Sequence, residues 1–190
     1  MTTLCREGLD SETRKVLMAV LSLEDKDKKR DMDIVHIQKT VRFFEYLAEK
    51  NDIDYSNYNY GTVSDDVDEN MESLQEYGYI EEIGKDIYTL TEEGKECIKD
   101  IMEGLSQEDL RKLAFAKKQL NTLPFDELLF FMYKLIPQSV ENSTVYYSLK
   151  KRQLPLTISL YKKGCINSST AAKWLDIGEK EFLDCVAKHS

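Results

Sequence analysis

Four times in the first 106 residues a Ser or Thr stands directly before a run whose apolar residues recur every three or four positions: Ser11, Ser64, Thr91 and Ser106. A hydroxyl placed there accepts an orphan N–H of a helix's first turn, and the spacing gathers the apolar side chains on one face. The chain is thereby committed to many short amphipathic helices. From Ser11 the stripe is Val16, Leu17, Val20, Leu21 and Leu23, and from Ser64 it is Val67, Met71, Leu74 and Tyr77. Between them IVHIQKTVRFFEYLAEK carries a broader one of Ile34, Ile37, Val41, Phe44, Tyr46 and Leu47. Gly78 supplies a left-handed stop. Beyond it Tyr79, Ile80, Ile83 and then Ile87, Tyr88, Leu90 read as two short strands about a turn at residues 84–86, and the helix opened by Thr91 ends near Gly104.

The intervening segments carry weaker signals. EDKDKKRDMD alternates acids with lysines and reads as a solvated linker. NDIDYSNYNYG favours turns over regular structure, and its tyrosines read as rings that pack while their hydroxyls stay wet. After Ser106 the pattern is helical throughout. Pro124 sits in the first turn of FDELLFFMYKLI, Pro137 ends that helix, and Pro155 parts NSTVYYSLKKRQLPLTISLYKKG into two short helices. In the tail, INSSTAAKWLDIGEKEFLDCVAKHS gives two helices around a tight turn at residues 176–178, with Ala172, Leu175, Ile177, Phe182 and Val186 inward; this reads as a helix-turn-helix.

Charge divides the chain. Of its 26 basic and 35 acidic residues, positions 1–105 hold 13 and 26, a balance of −13, and positions 106–190 hold 13 and 9, a balance of +4. The sign changes where helical periodicity restarts, so two modules are expected, 1–105 and 106–190. A net charge of −9 disfavours nonspecific attachment to nucleic acid or anionic membrane.

Several chemistries lack their residues. Cys5, Cys97, Cys165 and Cys185 are too far apart for a redox pair or a zinc knuckle and read as free thiols of a reducing cytoplasm. His36 borders an apolar stripe with no second His or nearby Cys, so a structural histidine is expected, with no metal centre. With two histidines, one penultimate, a Ser or Cys nucleophile has almost no base to activate it. No phosphate-cradling, dinucleotide or zinc-protease motif occurs, so neither an enzyme nor a cofactor is expected. No basic segment followed by an apolar run opens the chain, and its apolar runs are too short to span a bilayer; a cytoplasmic protein without a membrane partner is expected.

Two surfaces remain as candidates. The segment SDDVDENMESLQEYGYI carries Asp65, Asp66, Asp68, Glu69, Glu72 and Glu76 and no Lys or Arg, and the strand after it adds Glu81 and Glu82. A helix that reads DNA needs cationic and amide side chains toward bases and phosphates. Carboxylates within a Debye length, about 8 Å, of phosphates are strongly disfavoured, so this face is expected to meet a basic partner: another protein, or the chain's own second module. The alternative surface lies in that module, where Lys150, Lys151, Arg152, Lys162 and Lys163 interleave with Tyr146, Tyr147 and Tyr161, a pairing of cations and rings that suits nucleic acid. Nucleic acid is expected through the second module only, as RNA or as DNA bound by a dimer.

Three strings sharpen the architecture: HIQKTVRFFEYL, YGTVSDDVDENMESLQEYGYI and YTLTEEGKE. Their order of helix, capped helix, two-stranded wing and helix resembles prokaryotic winged-helix regulators. Over about residues 32–103 it is most similar to the Panacea antitoxin-type domain, with its QK-containing helix and YGPxS segment, in which this chain has Thr62 at the Pro position. The tail, LPLTISLYKKGCINSSTAAKWLDIGEKEFLDCVAKH, resembles short antitoxin-like helix-turn-helix proteins. The resemblances imply a mainly α fold with a small β-hairpin wing: a winged helix-turn-helix module, then a helical module ending in a helix-turn-helix. The function implied is transcription regulation or antitoxin-like protein–protein interaction.

Overall fold

A computed structural model describes residues 8–189. The chain is mainly helical with a small antiparallel sheet. It runs α1 (Glu12–Ser22), β1 (Met32–Asp33), α2 (Ile34–Ala48), β2 (Ser56–Tyr58), β3 (Gly61–Val63), α3 (Asp65–Glu76), β4 (Ile80–Gly84), β5 (Ile87–Leu90) and α4 (Glu92–Gly104). It continues through α5 (Gln107–Leu120), α6 (Phe125–Leu135), a 3-10 turn (Pro137–Val140), α7 (Tyr146–Lys151), α8 (Gln153–Lys162), α9 (Ser168–Leu175) and α10 (Glu179–Lys188).

All four hydroxyl caps form. Ser11 accepts the Arg14 N–H, Ser64 that of Val67, Thr91 that of Gly94 and Ser106 that of Asp109. A fifth cap, at Asp33, accepts the His36 N–H at 3.0 Å. The His36 ring, nearly buried, meets the same carboxyl at 2.6 Å, and the two contacts outweigh burial to hold the Asp33 carboxyl below its ordinary range. His36 is thus a structural residue beside the α2 stripe. At the end of α3, Gly78 adopts φ +76, and the N–H groups of Gly78 and Tyr79 return to the carbonyls of Gln75 and Leu74. That bond pair closes a Schellman turn and aims the chain into β4.

The chain divides into two compact units: residues up to Ser56 together with Thr62–Thr122, and Asn57–Gly61 together with Leu123–Ser190. The expected boundary after residue 105 is therefore displaced. Helix α5 packs along α2, and its Lys117 and Leu120 are buried in the first unit. Residues 106–122 join the first unit and the uncharged residues 57–61 the second, leaving 17 basic against 28 acidic in the first unit and 9 against 7 in the second. The sequence showed where periodicity restarts, and a restart of periodicity marks a new helix rather than a new core.

In the first unit the strand order is β1-β5-β4, antiparallel, with Met32 opposite Tyr88 and Ile80 opposite Leu90. The sheet turns at residues 84–86, where Asp86 takes φ +58 and its N–H bonds to the Glu82 carboxylate at 2.7 Å. Val16, Leu17, Val20, Leu21, Ile37, Val41, Phe44, Val67, Met71, Leu74, Ile80 and Leu90 form the core as their spacing requires. Five stripe members do not join it: Leu23, Ile34 and Leu47 are half-buried, and Tyr46 and Tyr77 are 48% and 46% exposed. Because α5 covers a second side of α2, Phe43 is buried against Phe115, while Gln38 and Lys39 are buried against residues 62–68 and Glu45 against residues 52–53.

The charged run after α1 is not wholly a solvated linker. Asp25, 5% exposed, accepts the N–H groups of Asp27 and Lys29 and the amide of Asn121, which together overcome burial and bring its carboxyl below the ordinary range. Lys117 donates to the carbonyls of Val20 and Arg30, tying the exit of α1 to α5. Residues 56–63 likewise form a short hairpin, β2 with β3, where turns alone were expected. Tyr55 beside it is buried under the Arg42 guanidinium, 4.5 Å from the ring centre; burial and then the Glu45 carboxylate push its hydroxyl pKa up.

The second unit is helical. Ile158, Ala171, Ala172 and Phe182 form a core that Leu154, Tyr161, Ile166, Leu175, Ile177, Cys185 and Val186 surround. Asp176, at φ +56, makes the turn between α9 and α10. The α7 to α8 break falls at Arg152 rather than at Pro155, which lies in the first turn of α8 where it removes no helical bond. Cys165 and Cys185 are free thiols, but Cys97 is disulfide-bonded, so the free-thiol expectation fails there; Cys5 lies outside the described residues.

Candidate interaction surfaces

Helix α3 is positioned by two buried polar side chains of α2. The Gln38 amide donates to the Ser64 carbonyl at 2.9 Å and to the Asp68 carboxylate at 2.7 Å, and its oxygen accepts the Ser64 N–H. Lys39, 1% exposed, donates to the Thr62 carbonyl, and burial depresses its pKa to about 8. A one-sided amphipathic pattern gives no reason to bury these two, so periodicity alone missed them. The signal available was the QK pair facing the segment that leads into Ser64.

With Val67, Met71 and Leu74 turned inward, Asp65, Asp66, Asp68, Glu69, Glu72 and Glu76 all lie in solvent, as do Glu81 and Glu82 on β4. None of the eight forms an ion pair among the described residues. Two serve local structure: Asp68 receives Gln38 and Glu82 closes the hairpin turn. Asp65 and Asp66 also complement the helix dipole from the first turn. The helix and hairpin acids act on one point, the Tyr88 hydroxyl. Burial raises its pKa first, and the carboxylates of Glu82, Asp86, Asp68 and Glu72 add to the rise. At the hairpin, Ile83 and Ile87 are 54% and 38% exposed beside the single cation Lys85.

The cationic candidates of the second unit differ in what they touch. Lys150 lies over the Tyr146 ring, 5.9 Å from its centre, and Tyr146 meets Tyr147 edge to face; with Lys151 these share α7, where Tyr147 is 74% exposed. Arg152 pairs with Asp126 at 2.8 Å, and Lys163 with Glu127 at 2.7 Å. Lys162 donates to the His189 carbonyl. Tyr161 packs edge-on against Phe182 in the core, which removes it from any stacking platform.

No group of His, Cys, Asp and Glu among the described residues is arranged to hold a metal ion. No described helix is long and apolar enough to cross a membrane. Compared with known proteins, the chain matches no family model, no curated protein and no solved structure at a significant level.

Proposed function

We propose that the first unit is a winged helix-turn-helix module whose reading helix has become a docking surface for a basic protein, within a nonenzymatic regulator of antitoxin-like character. The order α1, β1, α2, β2, β3, α3, β4, β5 with strand order β1-β5-β4 supports the winged reading, in which α3 would be the helix offered to DNA. The observation that carries the function is the set of eight exposed carboxylates without an ion-pair partner among the described residues. Helix α3 has 12 residues and six acids. At 1.5 Å per residue it is roughly 18 Å long, about one negative charge per 3 Å, close to the 3.4 Å per phosphate of one DNA strand. A surface of that density repels a duplex and attracts what a duplex attracts.

Reversing Glu69, Glu72 and Glu76 to Lys tests this reading. Wild-type chain immobilised at low salt retains a basic protein that the triple variant releases, and it gives no gel shift with genomic DNA fragments. Retention unchanged by the reversal sinks the reading. A DNA or RNA shift abolished by reversing Lys150, Lys151 and Arg152 replaces it with the second reading, a nucleic-acid binder acting through the second unit, which the exposed Tyr147 and the cations of α7 favour.

A further inference from the structure

The first unit holds a cleft of about 300 Å³ that none of the preceding chemistry uses. It is lined by Leu21 and Ser22 at the end of α1, Arg30 in the following turn, Thr89 and Leu90 on β5, and Lys95, Ile98 and Met102 on α4. The last three recur at spacings of three and four, so they share one face of α4. Leu21 and Leu90 are buried and make an apolar floor that Ile98 and Met102 extend.

The polar side of the lining is of one kind. In a unit with 28 acidic residues, none of the eight lining residues is acidic and two are cationic. Ser22 spends its hydroxyl proton on the Ala19 carbonyl, so the donors left to the cleft's charged side are Arg30 and Lys95. Each meets a carboxylate, Glu24 at 3.1 Å and Glu92 at 2.6 Å, but those pairs are half exposed or more and hold their cations weakly. Arg30 is also fixed through its backbone, whose carbonyl accepts from Lys117.

We infer that this cleft binds a small amphipathic carboxylate, its hydrocarbon on Leu21, Leu90, Ile98 and Met102 and its carboxyl group between Arg30 and Lys95. The volume lies at the small end of ligand pockets, which suits a short aliphatic or aromatic acid rather than a nucleotide. A guanidinium and an ammonium over an apolar floor exclude an organic cation and reward an anion over its neutral analogue.

The experiment titrates the full chain with octanoate, benzoate, octanol and octylammonium, following the Met102 methyl signal by NMR. Octanoate or benzoate shifts that signal saturably at one site, octanol binds roughly tenfold or more weakly, and octylammonium leaves it unmoved. Whichever acid binds more tightly identifies the aliphatic or aromatic source. Arg30→Gln with Lys95→Gln abolishes the preference for octanoate over octanol while octanol still binds; both side chains are exposed, so the fold survives, as circular dichroism verifies. No saturable shift with either acid, equal binding of octylammonium, or a preference for the acid that persists in the double variant overturns the inference.

Discussion

The two units handle charge in opposite ways. The first buries two lysines and displays a patch of anions: Lys39 and Lys117 are 1% and 0% exposed and reach only backbone carbonyls, while eight carboxylates of α3 and β4 stand in water with no ion-pair partner among the described residues. The second displays its cations and neutralises several of them, through Asp126 and Glu127. Net charge counted along a sequence thus differs from charge presented to a partner. In the first unit the buried Asp25 and Glu45 offset the buried Lys39 and Lys117, so its surface is set apart by the unpaired acids of α3 and β4, whereas two of the second unit's candidate cations are paired.

The hidden lysines give the largest expected effect. Lys117→Ala strips two carbonyls of their donor and opens a cavity, and is expected to cost about 3 kcal/mol of unfolding free energy by urea titration. Lys117→Met keeps most of the volume and removes a buried charge, so it should cost clearly less. Equal costs would mean that charge burial is immaterial there and would break the contrast between the units. The pH dependence sharpens the same point. Both lysines have folded pKa values of about 8 against an ordinary 10.5, so between those values the unfolded chain binds more protons and stability rises with pH. The gain expected is on the order of 2 kcal/mol per lysine. Above pH 10 it reverses, because burial raises the folded pKa of Tyr55 and Tyr133, whose unfolded hydroxyls then ionise first. A melting temperature flat from pH 8 to 10 would contradict both burials.

Much of this was legible in the sequence, and what was not has a common cause. Ser11, Ser64, Thr91 and Ser106 were readable as caps, and Gly78 as a stop, because capping is settled within four residues. The exposed acids of α3 were readable because Val67, Met71 and Leu74 fix which face turns inward. Strand β1 was invisible: two residues carry no period, and Met32 and Asp33 are extended only because Tyr88 and Ile87 pair with them. Nothing beside Lys117 in the sequence signals burial, because the carbonyls that bury it belong to residues 87 and 97 positions away. Arg152 and Lys163 looked available for nucleic acid until α6 brought Asp126 and Glu127 against them. Each miss was a long-range partner.

Gly94 offers an intermediate effect that tests how rigidly the hairpin carries the acidic face. A Cβ built there would lie 2.1 Å from the Tyr79 carbonyl oxygen, at the point where Thr91 donates its hydroxyl to the Gly78 carbonyl and its N–H to Tyr79. Backbone cannot yield as a side-chain end does, so Gly94→Ala should cost about 2 kcal/mol. It should also loosen the junction of β4 with α4, read as faster amide hydrogen exchange at Ile80 and Leu90. A destabilised variant that keeps wild-type exchange at those two amides would show that the acidic surface does not depend on this junction.

The smallest effect belongs to the second unit. Arg152 meets Asp126 at 2.8 Å with both side chains 48% exposed, so water and salt screen the pair and Arg152→Ala should change stability by less than about 0.5 kcal/mol. Lys117→Ala removes the same formal charge and differs only in what surrounds it. A ratio of roughly sixfold between the two costs is therefore the quantitative form of the contrast between hidden and displayed cations. Raising ionic strength should erase what remains at Arg152 and leave the cost at Lys117 unchanged, since carbonyl contacts buried from solvent are not screened. Comparable costs for the two variants would mean that the second unit depends on its surface ion pairs as the first depends on its buried lysines.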